Sequence, residues 1–143
     1  KLDIWTKENG FEIIVDGNAS NPIIVAEYST KTDLDRVIDE LNKLAAADGL
    51  GNIDVPVIVN GRLTRTLGRV KYFGLGGDAY VAKSIEFSKA LLEEGTDNDI
   101  INVIKHEYVH YYLVETTHEN HKHDALFKRK CAEIGCTHDK TQN

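Results

Sequence analysis

The spacing of apolar positions in the first third of the chain predicts strands followed by a helix. Leu2–Trp5, Phe11–Val15 and Ile23–Ala26 are short runs rich in β-branched and aromatic residues, which is typical of strands. Over Leu34–Ala45 the apolar side chains recur every three or four residues, which predicts an amphipathic helix that ends at Asp48-Gly49. We expect the apolar stripe of this helix to pack on a sheet.

The middle of the chain has the patterns of a small sheet. Val57–Val59 is followed by Asn60-Gly61, a pair typical of tight hairpins, so we expect a hairpin that continues into Arg62–Thr66. Gly68–Phe73 and Ala79–Phe87 predict two further strands. The glycine-rich segment between them lacks the spacing of a nucleotide-binding loop and is interpreted as a hairpin tip.

The last part of the chain predicts three helices. The first covers Lys89–Glu94. The second begins after Thr96, because Thr96 and Asp99 have the spacing of a capping box, and it is too apolar for a surface helix. We therefore expect it to be the central, buried helix. The third covers Ala125–Ile134 and ends at Gly135.

The central helix carries the sequence His106-Glu107-Tyr108-Val109-His110. Four helical residues rotate by about 400°, so the imidazoles of His106 and His110 leave one face about 6 Å apart. Two imidazoles so placed can converge on one metal ion, and Glu107 can lie beside that ion as a general base without binding it. Buried histidine and glutamate side chains need partners, which favours a metal site over two surface histidines.

A catalytic zinc site needs a third protein ligand and one open position. The downstream candidates are His118, His121, His123 and Glu133. We favour His123, because a ligand at the start of a helix is held by regular structure. The candidates for an oxyanion donor or for the rim of the site are Tyr111, Tyr112, His118 and His121.

The charge of the chain bears on its partners. Seventeen Lys and Arg stand against 23 Asp and Glu, a net charge of −6, so the overall field does not favour nucleic acid. Basic residues nevertheless gather at Arg62, Arg65, Arg69 and Lys71, and again at Lys122, Lys128, Arg129 and Lys130. A DNA partner would therefore have to be engaged by a local basic hairpin.

Length and cysteine content predict a single domain of 143 residues, with N-terminal strands and a helix over 1–52 and a motif-bearing core over 53–143. No apolar run approaches the roughly 18 residues of a membrane span, so we expect no membrane partner. Cys131 and Cys136 are interpreted as core or capping thiols near a helix end, with a second metal site as the alternative. Such low cysteine usage favours a reducing compartment, and we expect the cytoplasm.

The order of five short motifs resembles the SprT-like domain family. The motifs are Asn60-x-Arg62-Leu63, Thr66-Leu67-Gly68-Arg69, Ile85-Glu86-Phe87-Ser88, His106-Glu107-x-x-His110 and His123-x-x-x-Phe127-Lys128. This family includes the zinc metallopeptidase-type domains of bacterial SprT proteins and of Spartan, the eukaryotic DNA–protein crosslink protease. The resemblance covers about 57–135.

The resemblance implies one zinc ion per chain, held by His106, His110 and His123, with Glu107 as the catalytic glutamate. Asp124 stands where members commonly have glycine. Many members continue into a zinc ribbon of paired cysteines, and two cysteines alone cannot make one, so we expect no C-terminal ribbon here.

The predicted fold is α+β and zincin-like, with a small, mostly antiparallel sheet packed on the central helix and flanking helices. The predicted function is zinc-dependent hydrolysis of peptide bonds in a polypeptide substrate. We expect the substrate to lie extended along an edge strand formed by Ser84, Ile85, Glu86, Phe87 and Ser88. The alternative is a zinc-stabilised binding module with little or no peptidase activity, which could be DNA-associated. A fourth protein ligand would favour that alternative.

Overall fold

The computed structural model describes the backbone of residues 25–137 and the side chains of residues 34–137. The chain divides into two compact units, Lys1–Asp35 and Arg36–Asn143. Within the first unit the described part is the beginning of helix α1 (Val25–Ala47), and the rest of the described chain belongs to the second unit. The strands predicted at Leu2–Trp5 and Phe11–Val15 lie outside the described residues, and the prediction of a single domain over the whole chain stays a prediction.

Helix α1 confirms the amphipathic helix that the apolar spacing predicts. Val37, Leu41 and Ala45 follow one another at intervals of four residues and are fully buried. The helix ends before Gly49, which has a φ of 76°. The strand predicted over Ile23–Ala26 is wrong at its second half, because Val25 and Ala26 are already helical.

Three strands form a mixed sheet in the order β1-β3-β2. They are β1 (Val57–Asn60), β2 (Gly68–Gly76) and β3 (Ala79–Ser88). Strands β2 and β3 pair antiparallel, and the positive φ of Gly76 and Gly77 lets the chain reverse between them, which confirms the predicted glycine-rich tip. Strand β1 pairs with the other side of β3 in parallel, so the sheet has one antiparallel and one parallel pairing.

The hairpin predicted at Asn60-Gly61 is wrong. The Asn60 side chain accepts a hydrogen bond from the backbone N–H of Arg62 at 2.8 Å, and the Asn60 carbonyl accepts one from Leu63 at 3.3 Å. These bonds close a local turn, but no strand follows over residues 62–66. Because each residue of β1 pairs with a residue of β3 that lies 28 positions later, the local turn signal does not decide the pairing.

The three C-terminal helices begin where the sequence predicts. They are α2 (Lys89–Glu94), α3 (Asp97–Thr117) and α4 (Ala125–Ile134). Each starts after a side chain that accepts a backbone N–H of the first turn: Ser88, Thr96 and Asp124 respectively. Among the described residues, no helix is both long enough and apolar enough to cross a membrane.

Helix α3 is the central helix of the second unit. Eleven of its 21 residues are buried, far more than an amphipathic surface helix presents to a core. Its Val103 and Tyr108 belong to one apolar cluster with Leu41 of α1 and with Ile85 and Phe87 of β3. The α+β class is therefore confirmed, while the zincin-like arrangement stays a prediction.

The interpretation of the two cysteines as thiols is wrong, because Cys131 and Cys136 form a disulfide. Gly135 ends α4 with a φ of 84°, and this left-handed residue turns the chain back on the helix. The backbone N–H of Cys136 then donates to the carbonyl of Cys131 at 2.9 Å, and the two Cα atoms come within 5.0 Å of each other. That separation suits a disulfide.

The capping box at the start of α3 gives a first prediction. The Thr96 hydroxyl accepts from the Asp99 N–H at 3.1 Å, and the Asp99 carboxylate accepts from the Thr96 N–H at 3.3 Å. Thr96→Ala should lower the free energy of unfolding by about 0.5–2 kcal/mol, measured by urea denaturation. Thr96→Ser keeps the hydroxyl and serves as the control. Equal stability of the two variants would contradict this account of the helix start.

Candidate metal centre

Three ionisable side chains of α3 are buried in the middle of the helix. His106 and Glu107 are fully buried and His110 is 6% exposed. His106 and His110 lie one helical turn apart, and their ring centroids are 5.2 Å apart. The helix brings both imidazoles to one face, as the spacing predicts.

His123 joins the two imidazoles of α3 from the connection between α3 and α4. Its Nε2 lies 3.2 Å from Nε2 of His106, and its ring centroid lies 5.3 Å from that of His110. One ring nitrogen from each of the three histidines lies within 4.8 Å of the others, so the group could hold a metal ion. Among the described residues, neither His118, His121 nor Glu133 belongs to this close group.

Phe127 is the apolar support of the three imidazoles. It is fully buried, and its ring centroid lies 4.4 Å from that of His110, 4.6 Å from His123 and 5.0 Å from His106. Phe127 lies one turn into α4, so the position of this helix controls the packing around all three rings. The sequence contains Phe127 within a motif but does not reveal its contact with every histidine.

Asp124 fixes the start of α4 beside His123. Its Oδ1 accepts from the Phe127 N–H at 3.1 Å, and its Oδ2 pairs with Nδ1 of His121 at 2.6 Å. Burial opposes ionisation of Asp124, but the hydrogen bonds from His121 and Phe127 outweigh it and lower its pKa. Asp124, at the position where the resemblance implies glycine, therefore caps the helix that carries Phe127.

A backbone carbonyl after α4 sets the orientation of His106. Nδ1 of His106 lies 2.8 Å from the carbonyl oxygen of Thr137. A carbonyl can only accept, so Nδ1 donates the hydrogen of this bond, and the other ring nitrogen, Nε2, faces Nε2 of His123. Sequence reasoning missed this contact, because every residue type has a backbone carbonyl and the sequence does not show which carbonyl comes close to His106.

Gly68 makes room for the carboxylate of Glu107. A Cβ atom at residue 68 would lie 2.9 Å from Cγ and 3.2 Å from Oε2 of Glu107, and 3.1 Å from the carbonyl oxygen of Glu86. Gly68 is the first residue of β2 and pairs with Phe87 of β3, so Glu107 of α3 packs against the start of the sheet at this residue. The sequence contains Gly68 within a motif but does not reveal this close approach.

Tyr72 is a second neighbour of Glu107 that sequence reasoning missed. Burial of Tyr72, together with the negative charge of Glu107, raises the pKa of its phenol well above the ordinary value. Tyr72 lies on β2 and packs edge-to-face on Tyr80, with ring centroids 6.2 Å apart. Its hydroxyl therefore stays protonated at neutral pH.

The other rim candidates make contacts of their own. The Tyr111 hydroxyl donates to Asp54 at 2.9 Å, and Lys130 Nζ lies 4.2 Å from the ring centroid of Tyr112. His118 ends α3 in a left-handed conformation with its Nδ1 3.3 Å from the carbonyl oxygen of Tyr80. His121 pairs with Asp124. These contacts assign structural roles to the four side chains, and their part in stabilising an oxyanion stays a prediction.

The expectation that Ser84–Ser88 forms a sheet edge is wrong. Residues Ile85–Ser88 pair in parallel with β1, and residues of the same segment pair antiparallel with β2, so this part of β3 is the centre of the sheet. Its backbone donors and acceptors are engaged on both sides. The physical reason is again the parallel pairing of β1, which a local turn signal could not indicate.

Glu86 on the central strand is a buried carboxylate with three polar neighbours. Its Oε1 accepts from Asn60 Nδ2 at 3.0 Å and from Arg69 Nε at 2.9 Å, and Lys71 Nζ lies 3.9 Å from its Oε2. Burial would raise its pKa, but the bonds from Asn60 and Arg69 and the two positive charges outweigh burial and lower it. The motif residues Asn60, Arg69 and Glu86 thus form one network.

The same contacts bear on the predicted basic hairpin. Arg69 and Lys71 lie on β2 and both pair with Glu86, while Arg62 and Arg65 lie in the connection before β2. Lys130 of the second basic group pairs with Asp48 at 2.7 Å and with Glu133 at 2.8 Å. Part of each basic group is therefore neutralised within the protein.

Comparison with known proteins identifies one family. The sequence model of the SprT-like family matches residues 34–143, which is most of the chain. The match includes the part of α1 from residue 34 onward, which precedes the motifs that carry the resemblance. Searches of curated proteins and of solved structures gave no match.

The close approach of Gly68 predicts a cost for any side chain there. Gly68→Ala should lower the free energy of unfolding by about 1–3 kcal/mol, because Glu107 or the β3 backbone must move. Gly61→Ala is the matched control, since the nearest atom to its Cβ would be Lys89 Cδ at 3.8 Å. Urea denaturation of both variants measures the difference. The account fails if Gly68→Ala is as stable as Gly61→Ala.

The lowered pKa of Glu86 predicts a pH dependence. A carboxylate whose pKa is lower in the folded than in the unfolded chain stabilises the fold at neutral pH. That stabilisation declines as the pH falls below about 4.3, the ordinary glutamate pKa, and is lost once the pH passes the folded pKa. Glu86→Gln should have a lower free energy of unfolding than the wild type at pH 7. Its free energy of unfolding should also fall less steeply with falling pH, as measured by denaturation at a series of pH values.

The exposed Glu94 offers the control for this titration, as Glu94→Gln removes a carboxylate outside the network. The free energy of unfolding of Glu94→Gln should fall with decreasing pH as steeply as that of the wild type. An equal decline in all three proteins would show that Glu86 is not a source of the pH dependence.

Proposed function

The chain belongs to the SprT-like family, and on this premise we propose that it is a zinc-dependent metallopeptidase. One observation carries the proposal: the buried imidazoles of His106 and His110 and the half-buried imidazole of His123 converge on one point, and Glu107, which follows His106 on α3, is fully buried. Family membership favours peptide hydrolysis as the reaction, and the described residues supply the side chains that this chemistry needs.

The donor set fits zinc. Neutral imidazoles are common zinc ligands, and catalytic zinc sites keep three protein ligands and one open position. Zinc–nitrogen bonds of about 2.0–2.1 Å at tetrahedral angles separate two ligand nitrogens by about 3.3 Å. The two Nε2 atoms of His106 and His123 are 3.2 Å apart, close to that separation. The Thr137 carbonyl supplies the outer hydrogen bond that metal-binding histidines usually make.

Glu107 is the proposed general base. Bound zinc would polarise the scissile carbonyl and lower the pKa of a water molecule, so that this water can act as a nucleophile at neutral pH. Glu107 would take a proton from the attacking water and give it to the leaving amine as the C–N bond breaks. Because Gly68 has no side chain, the Glu107 carboxylate fits against the start of β2. Tyr72, on the same strand, offers a protonated hydroxyl that interacts with the charge of Glu107.

The outer edge of β2 is the proposed place for the substrate backbone. Within the described part of the chain, β2 pairs only with β3, so its other side presents backbone N–H and C=O groups. Strand β2 begins at Gly68, directly against Glu107. An extended peptide added to this edge would be recognised through its backbone, which favours a loose sequence preference.

The number of ligands distinguishes this proposal from a zinc-stabilised binding module. A structural zinc site is closed by four protein ligands. The close group found among residues 34–137 contains three histidines, and His118 and His121 are engaged elsewhere. A three-ligand site with a buried glutamate supports catalysis.

Metal content and one substitution test the proposal. Purified protein should contain about one zinc per chain, measured by mass spectrometry of the metal. Glu107→Gln should keep that zinc and slow cleavage of an unfolded polypeptide by at least about 10²–10⁴-fold, because the general base is lost. The exposed Glu119 provides the matched control, so Glu119→Gln should cleave as the wild type does.

The outcomes separate the two parts of the proposal. Protein that takes up no zinc would refute the metal assignment. Cleavage that Glu107→Gln leaves unchanged would refute the base assignment. Zinc-loaded protein that cleaves no unfolded polypeptide would instead support the binding module.

A further inference from the structure

The segment after α4 is closed into a small covalent ring. The backbone N–H groups of Gly135 and Cys136 both donate to the carbonyl of Cys131, at 2.8 and 2.9 Å. The disulfide between Cys131 and Cys136 adds a covalent link to these two bonds. Cys131 is fully buried on α4, so the ring is anchored in the core.

Thr137, the residue after this ring, is held from three sides. Its N–H donates to Oδ1 of Asn102 at 2.9 Å, and Nδ2 of Asn102 donates to its hydroxyl at 3.1 Å. Its carbonyl oxygen accepts from Nδ1 of His106 and lies 3.2 Å from Sγ of Cys131. Asn102 and His106 are one helical turn apart on α3, so Thr137 is fixed along one face of the helix that carries the site.

We propose that the Cys131–Cys136 disulfide is a positioning device for His106, and that its reduction weakens metal binding. The disulfide holds Cys136 on α4 and thereby keeps the next residue, Thr137, against Nδ1 of His106. Reduction of the disulfide increases the conformational freedom of Thr137. The hydrogen bond from His106 Nδ1 to the Thr137 carbonyl, which fixes the His106 tautomer, is then formed in a smaller fraction of the molecules. The inference rests on the proposed function for the metal, but not on the reaction.

The redox step needs an external reductant. A phosphine reductant takes up oxygen from water as it cleaves the S–S bond: disulfide, phosphine and water give two cysteine thiols and one phosphine oxide. The two electrons come from phosphorus, and the two protons on the thiols come from water. In a cell the same change needs a dithiol, which is oxidised to its own disulfide.

Zinc affinity is the first readout of the test. Metal-free protein is prepared in the oxidised state and, separately, after phosphine treatment and removal of the phosphine under exclusion of air. Competition with a chromophoric chelator gives the dissociation constant for zinc. Reduction should weaken binding by about 10–100-fold, the usual effect of losing an outer hydrogen bond to a ligand.

The tautomer of His106 is the second readout, and it needs no metal. Imidazole ¹H–¹⁵N correlation spectra of the metal-free protein should show the Nδ1–H form of His106 in the oxidised state. The reduced state should show a mixture of tautomers. This readout tests the inference even if the oxidised protein binds no zinc, a result that would refute the proposed function separately.

Two substitutions serve as controls. Cys136→Ser leaves the buried Cys131 in place, should match the reduced wild type in both readouts and should not respond to phosphine. Asn102→Ala removes both side-chain bonds to Thr137 and should weaken zinc binding in the oxidised state, while Asn102→Asp retains the acceptor for the Thr137 N–H and should restore part of it.

The inference is overturned if reduction changes the zinc dissociation constant by less than twofold and leaves the His106 tautomer unchanged. If Cys136→Ser does not fold, reduced wild-type protein carries the comparison alone. Thermal unfolding of the oxidised and reduced protein, followed by circular dichroism, shows whether a loss of affinity is local or follows global unfolding.

Discussion

The burial of ionisable side chains on α3 is the constraint on which the rest of the second unit depends. His106, Glu107 and His110 are almost fully shielded from water, and such groups destabilise a core unless each has a polar partner. The fold supplies different surroundings on different sides of the helix. His123 and the Thr137 carbonyl approach the imidazoles, while Gly68 leaves space for the carboxylate beside the sheet.

The position of α4 depends on a second polar cluster, which is centred on Asp48. Lys130 of α4 and Tyr108 of α3 both bond to Asp48 at the end of α1, at 2.7 and 2.6 Å. Burial opposes the charge of Lys130, but the hydrogen bonds and charges of Asp48 and Glu133 outweigh burial and raise its pKa, so Lys130 stays charged at neutral pH. These bonds join α1, α3 and α4, and they fix the helix whose Phe127 packs on all three imidazoles.

The helices and the placement of His106 beside His110 could be predicted because their signals are local. The caps at Ser88 and Thr96 mark helix starts, and the four-residue spacing of His106 and His110 places them on one face. Strand pairing is not local: the parallel partner of β1 lies in β3, so the turn signal at Asn60-Gly61 misled the prediction of the hairpin and of the edge. The roles of Gly68 and Thr137 depend on space and on a backbone atom, which no residue pattern reports.

The shortness of the Cys131–Cys136 ring has a consequence for the unfolded chain. In the chain-entropy view, a disulfide stabilises a fold by restricting the unfolded ensemble, and it does so less when the closed loop is shorter. Two cysteines five residues apart restrict it little, with a contribution of about 2 kcal/mol against about 4.7 kcal/mol for a 100-residue loop. Opening this ring therefore alters local order near the histidines at a cost of about 2 kcal/mol, which is below the 5–15 kcal/mol that typically separates folded from unfolded domains.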